Sequence, residues 1–217
     1  MAYDTEVPEY STDIVYSEYV SDYFKIYLRL PESYDQGKSY PILYLLDGDW
    51  YFEDTNMIDY NGVSGIVYNL ERNNIIPECI LIGIGYTEGN KRGRDFSQYP
   101  DNFYKFIKYE LSEYLNFEYG LDMGGEKTLM GHSSGGYFSF YILFKGEQYF
   151  NNYISVSTPF YDANKLLILK EMSFYNRQKT TQGTIRLFMA VGGMRRTDSL
   201  KATMTWHPGL TQRATKT

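Results

Sequence analysis

Ser133 stands between two glycines in Gly131-His132-Ser133-Ser134-Gly135. A strand-like apolar run, Thr128-Leu129-Met130, leads in, and a small-then-apolar run leads out from Gly136 as a helix. That is Gly-x-Ser-x-Gly in a strand–turn–helix context, the sequence form of a nucleophile elbow. A serine forced into a tight turn at a strand end needs glycines beside it, because a Cβ there would collide with the neighbouring strand or helix. The turn exposes Ser133 Oγ and leaves the Ser134 N–H at a helix N-terminus, where it can stabilise an oxyanion. Ser134 has no such pair of flanking glycines, so Ser133 is the candidate nucleophile. An ordinary Gly/Ser turn is the competing reading. A serine alcohol is a poor nucleophile at neutral pH without an imidazole in reach. The chain holds two histidines, His132 and His207. His132 directly precedes the serine, and its side chain is expected to pack in the turn. His207 is therefore the candidate base and Asp198 its candidate acid, in the order Ser133…Asp198…His207.

Composition limits what surrounds this constellation. A chain of 217 residues with 43% hydrophobic content can bury one sizeable core, so residues 1–217 are expected to form a single domain. No apolar run reaches about 18 residues, so no membrane span is expected. The N-terminal Met1-Ala2-Tyr3-Asp4-Thr5-Glu6 is acidic and polar, the opposite of a signal peptide, which points to the cytoplasm. Cys79 is the single cysteine; this excludes an internal disulfide and a cysteine-based metal cage. Its place before Ile80-Leu81-Ile82 suggests a small buried hydrophobe. No cofactor motif stands out. The net charge of −6 argues against a nucleic-acid surface. The 24 tyrosines would suit a cleft for aromatic or sugar-like groups, or reflect composition alone.

The elements that must position the serine alternate between strand and helix, as in an α/β fold with a mostly parallel sheet covered by helices on both faces. Asp22–Pro31 places Phe24, Ile26, Leu28 and Leu30 on one face and Tyr23, Lys25, Tyr27 and Arg29 on the other, a half-exposed strand. Tyr40–Leu46 is nearly all apolar, as a doubly covered strand should be, and ends at Asp47-Gly48-Asp49-Trp50. A helix over Met57–Arg72, a buried strand over Cys79–Tyr86 and a polar loop over Thr87–Pro100 follow. Phe103, Phe106, Ile107, Leu111, Tyr114 and Leu115 make a helical stripe within Asp101–Tyr119. Beyond the elbow helix, which runs to about Lys145, strands are expected at Tyr153–Ser157 and Thr184–Val191, with a helix near Ala163–Met172.

Four segments together resemble the putative-esterase branch of the α/β-hydrolases: Leu30-Pro31-Glu32-Ser33-Tyr34, Tyr40-Pro41-Ile42-Leu43-Tyr44-Leu45-Leu46-Asp47-Gly48, Arg92-Gly93-Arg94-Asp95-Phe96 and Gly131-His132-Ser133-Ser134-Gly135-Gly136. That branch includes siderophore trilactone, feruloyl and acetyl-xylan esterases, S-formylglutathione hydrolases and mycolyl transferases, and the resemblance runs over roughly residues 14–205, leaning toward the siderophore-esterase group. It implies a serine carboxylic-ester hydrolase acting on a small-molecule ester. It also implies that the residue after the Asp-Gly pair, Asp49, donates a backbone N–H to the oxyanion alongside Ser134. Asp49 suits that place only if its carboxylate turns away. Trp50 would then wall the cleft. The Arg92–Asp95 loop is implied to be an Arg–Asp pair shaping the site's edge, with substrate binding by Arg92 or Arg94 as the other reading.

The C-terminal part departs from that pattern. After Val191-Gly192-Gly193, where the resemblance implies a nearby acid, Met194-Arg195-Arg196 follow. Residues 176–217 hold no tyrosine, one acidic and eight basic residues, so the balance switches from −13 in residues 1–175 to +7. This suggests a truncated natural C-terminus or a shifted reading frame. The stretch from Gly193 to His207 is expected to hold a loop and a short helix, with no final strand. His207 would then stand beyond reach of Ser133, and an exposed sheet edge would favour a homo-oligomer. A catalytically impaired hydrolase-fold protein, retained as a binding module, is the alternative to an active esterase.

Overall fold

The strand–helix alternation is realised in a computed structural model that describes residues 9–53, 62–146, 149–159, 185–190 and 201–205. The chain divides into two units, one of residues 1–91 and 101–127, the other of residues 92–100 and 128–217.

In the first unit, β1 (Ser11–Ser17), β2 (Asp22–Arg29), β3 (Ile42–Leu46) and β4 (Ile80–Tyr86) lie in the order β1-β2-β4-β3. β1 pairs antiparallel with β2, and β2 with β4, whereas β3 and β4 run parallel, Ile42 opposite Ile80. β1 escaped the sequence reading because Ser11-Thr12-Asp13 opens it with polar residues. The half-exposed strand expected at β2 is corrected. Tyr27 and Arg29, assigned to the open face, are 0% and 1% exposed. Helix α1 (Gly48–Phe52) covers Tyr27, whose ring stacks on Phe52 at 5.1 Å. Helix α2 (Gly62–Arg72) supplies Glu71, which takes the Arg29 guanidinium at 2.8 and 3.1 Å. The Cys79 N–H and thiol both donate to the same Glu71 carboxylate, at 2.8 and 3.3 Å. Cys79 is buried as expected, yet it belongs to a polar cluster rather than to a plain apolar contact.

The stripe expected over Asp101–Tyr119 forms helix α3 (Pro100–Lys105), a π-helical stretch Phe106–Leu111, and α4 (Ser112–Tyr119). Phe103 and Phe106 bring it onto Phe24 of β2, at centroid distances of 5.4 and 4.4 Å. Glu110 in the π-helical stretch accepts from Ser17 Oγ at 2.6 Å and from the Glu18 N–H at 2.9 Å, holding the end of β1.

In the second unit, β5 (Lys127–His132), β6 (Asn152–Val156), β7 (Arg186–Ala190) and β8 (Lys201–Thr205) follow one another across the sheet, with α5 (Ser134–Lys145) after β5. β5, β6 and β7 pair in parallel, while β8 returns antiparallel along β7, Lys201 opposite Ala190. Here the sequence expectation fails: a final strand exists, and it covers the β7 edge that was expected to be open. An antiparallel return needs no crossover helix, so ten residues suffice to connect the two strands. The helix expected near Ala163–Met172 lies outside the described residues.

Candidate active site

Ser133 follows the last residue of β5 and precedes the first of α5, with φ 56° and ψ −118°. A side chain rarely occupies that backbone region, and holding one there costs on the order of 1–3 kcal/mol. Several local features compensate. The Ser133 N–H donates to the Val156 carbonyl at the end of β6 at 2.8 Å, and the Tyr137 N–H returns to the Ser133 carbonyl at 3.1 Å. Gly131 lets the first turn of α5 lie against β5, since a Cβ there would overlap the backbone of Gly135 and Gly136. The Ser134 N–H sits in the first turn of a helix of 12 residues, where no carbonyl stands four residues back and the helix dipole is positive. Ser133 and Ser134 are both half-buried. This geometry can hold a serine hydroxyl outward with an amide donor beside it.

The loop Arg92–Pro100 belongs to the same unit. Arg92 Nη2 donates to the His132 carbonyl at 2.9 Å, and its guanidinium lies 5.6 Å from the centre of the Phe96 ring. Phe96 is buried and packs on Phe138 of α5 at 5.6 Å. Arg94 and Asp95 are joined in a two-pronged ion pair at 2.6 and 3.0 Å, and Asp95 is 1% exposed. What read as a polar glycine-rich loop therefore contains a π-helical turn, Arg94–Gln98, with two buried side chains.

Asp47 closes β3 in the left-handed region, φ 63° and ψ 51°. Gly48 and Gly83 bring α1 directly onto β4, as a Cβ on Gly48 would press into the backbone at Gly83 and Ile84. The Asp49 N–H lies in the first turn of α1, again without an intrahelical acceptor. Asp49 Oδ1 is buried above Gly85 and has no hydrogen-bond partner among the described residues. The carboxylate is thus turned onto β4 of its own unit. Burial above all, with the Glu53 and Asp49 carboxylates adding to it, pushes the nearby Tyr27 hydroxyl far above its ordinary range. Trp50, on the outer side of α1, is 46% exposed.

Asp198 and His207 lie outside the described residues. The sequence reading missed the segment after β6. Ser157, like Ser133, has a positive φ, 49°, and its N–H donates to the Ala190 carbonyl at 2.7 Å. The Ser155 and Thr158 hydroxyls pair with each other beneath Gly136. The signal was present in Ser155-Val156-Ser157-Thr158-Pro159, small hydroxyl residues closing an apolar strand. Among the described residues no cluster of three or more His, Cys, Asp or Glu side chains could hold a metal ion, and no helix is long and apolar enough to cross a membrane.

Comparison with known proteins adds an independent line. The family model described as "Esterase: Putative esterase" matches residues 17–207. The ferri-bacillibactin esterase BesA of Bacillus subtilis (strain 168) is 27% identical over 194 residues, covering 78% of this chain and 65% of BesA. The chain thus spans just under two thirds of that relative's length. Among solved structures, the BES protein from Bacillus cereus superposes with a TM-score of 0.71 at 23% identity, covering 90% of this chain and 79% of the other. The siderophore hydrolase EstB from Aspergillus nidulans gives 0.71 at 19% identity, with 89% and 74% covered. At these identities the structural likeness establishes a shared fold.

Proposed function

The chain belongs to the "Putative esterase" family and has the α/β-hydrolase fold, and on that premise we propose that it is a serine carboxylic-ester hydrolase working through an acyl-enzyme on Ser133. The observation that carries this reading is the strained turn at Ser133, φ 56° and ψ −118°, between a parallel strand and a helix. Strain of this kind persists where function needs the side chain held in one direction.

In this mechanism Ser133 Oγ attacks the ester carbonyl while an imidazole takes its proton. His207 is the imidazole assigned to that step, with Asp198 as the acid that orients it. The family match runs as far as residue 207. β8 itself returns antiparallel and ends at Thr205 opposite Arg186, the end of β7 away from Ala190 and the Ser133 turn. The assignment of His207 therefore rests on the family match and is tested by a variant at that position. The Ser134 and Asp49 amides are the donors to the developing oxyanion, each worth about 3–4 kcal/mol of barrier. The protonated imidazole then returns its proton to the departing alcohol, and water releases the acyl group from Ser133 by the same route. Because the family match spans both units, residues 1–217 are read as one hydrolase domain. The name of BesA makes a ferric siderophore ester the first substrate class to test, and small p-nitrophenyl esters the simplest probe. His207→Ala should lower kcat on such an ester by more than about 100-fold. Activity retained in that variant would remove His207 from the mechanism.

A second reading, a hydrolase-fold binding module without turnover, is favoured by Met194-Arg195-Arg196 where an acid was expected. It predicts a folded protein that binds a siderophore ester and leaves it intact.

A further inference from the structure

The two polar groups of the His132–Ser133 peptide are held from opposite sides. The Ser133 N–H is taken by the Val156 carbonyl at 2.8 Å, and the His132 carbonyl is taken by Arg92 Nη2 at 2.9 Å. Rotation of this peptide plane is the motion that would swing the Ser133 Cα–Cβ bond, because ψ of His132 and φ of Ser133 flank it. Backbone hydrogen bonds alone hold one side, while the other depends on a charged side chain, a stronger class of donor.

We propose that Arg92 is a positioning residue that fixes the elbow peptide, and through it the direction of Ser133 Oγ, rather than a contact for the substrate. The inference rests on the esterase reading for its kinetic consequence and on geometry alone for the clamp. Arg92 is itself held in place, its guanidinium 5.6 Å from the Phe96 ring. Phe96 in turn packs on Phe138 of α5, the helix that Ser133 starts. One loop therefore grips both sides of the elbow, the last carbonyl of β5 through Arg92 and the helix through Phe96. The Arg94–Asp95 ion pair, with Asp95 buried, braces the same loop from within. Lysine cannot reproduce this, because a single ammonium lacks the planar guanidinium that lies over a ring and donates along its edge together.

The test compares wild type with Arg92→Met and Arg92→Lys. Amide hydrogen exchange is followed over residues 131–137, together with kcat and KM on neutral p-nitrophenyl acetate and on an ester carrying a carboxylate. In Arg92→Met, exchange over the elbow should speed up by about tenfold while β6 and β7 keep their protection. Its kcat on both esters should fall by about 10–100-fold with KM little changed, the scale expected when a reacting group is misplaced by about 1 Å. Arg92→Lys should be intermediate in both readouts, and it decides the matter if the methionine variant does not fold. Unchanged elbow exchange with unchanged kcat would overturn the clamp. A rise in KM confined to the anionic ester would overturn it in favour of substrate binding. If folded wild type hydrolyses neither ester, the esterase reading fails, and the exchange comparison still decides whether Arg92 holds the elbow.

Discussion

Ser133 and Val156 are joined by a backbone hydrogen bond of 2.8 Å, which ties the residue that turns β5 into α5 to the end of the next parallel strand. That tie holds Ser133 at a positive φ of 56°, a conformation glycine accepts without a Cβ penalty. Ser133→Gly should therefore abolish ester hydrolysis and raise unfolding stability by about 1 kcal/mol. Ser133→Ala should abolish hydrolysis with no such gain, since alanine keeps the Cβ. Urea denaturation of the three proteins checks this; equal midpoints for serine and glycine would mean that the turn stores no strain.

Gly131 carries the close approach of α5 to β5. Gly131→Ala should destabilise the fold by about 1–3 kcal/mol, because its Cβ would meet backbone that cannot rotate away. Activity should fall further than stability, as the elbow itself is displaced. Ser134→Ala should be mild by comparison, because the backbone N–H survives. Thermal unfolding and kcat measured side by side separate the two effects, and a Gly131→Ala variant as stable and active as wild type would refute the packing argument.

The strand–turn–helix at Ser133 was legible because its constraints are local: two glycines, a serine and the hydrophobic periodicity on either side. The same is true of β3, β4 and α5, whose apolar runs leave few alternatives. Tyr27 and Arg29 misled because alternation reports side-chain polarity, whereas the partner that buries Arg29 lies 42 positions away in Glu71. Phe96 and Asp95 were hidden in a polar loop for a related reason, since their burial depends on a neighbouring helix. The return of β8 was missed because the expected connection was a parallel crossover, while an antiparallel one needs far less chain. The role of Val156 is a backbone role, and side-chain chemistry carries no sign of it.

The Arg29–Glu71 pair is buried, with side chains 1% and 5% exposed. Glu71→Leu should cost about 3–5 kcal/mol, because it leaves the Arg29 charge buried alone. The double variant Arg29→Met/Glu71→Leu should be less destabilised than Glu71→Leu, as both charges then go together. Denaturant unfolding of the set tests this, and a double variant worse than the single would contradict it.

Burial above all, with the Glu71 carboxylate adding to it, raises the Cys79 thiol from 9.0 to about 12. The folded state thus keeps the proton that the unfolded chain loses as pH rises. This contribution to stability is fully present below pH 9 and is lost progressively between about pH 9 and 12. Wild type should lose stability over that window more steeply than Cys79→Ala, which isolates the thiol from the tyrosines that also titrate there. Parallel slopes would contradict the shift.

The central claim is that Ser133 is an activated nucleophile, and covalent labelling tests it most directly. Folded protein treated with a fluorophosphonate, digested and mapped by mass spectrometry should carry one adduct, on the peptide containing Ser133, and Ser133→Ala should carry none. No adduct on folded wild type, or an adduct that persists in Ser133→Ala, would contradict the account.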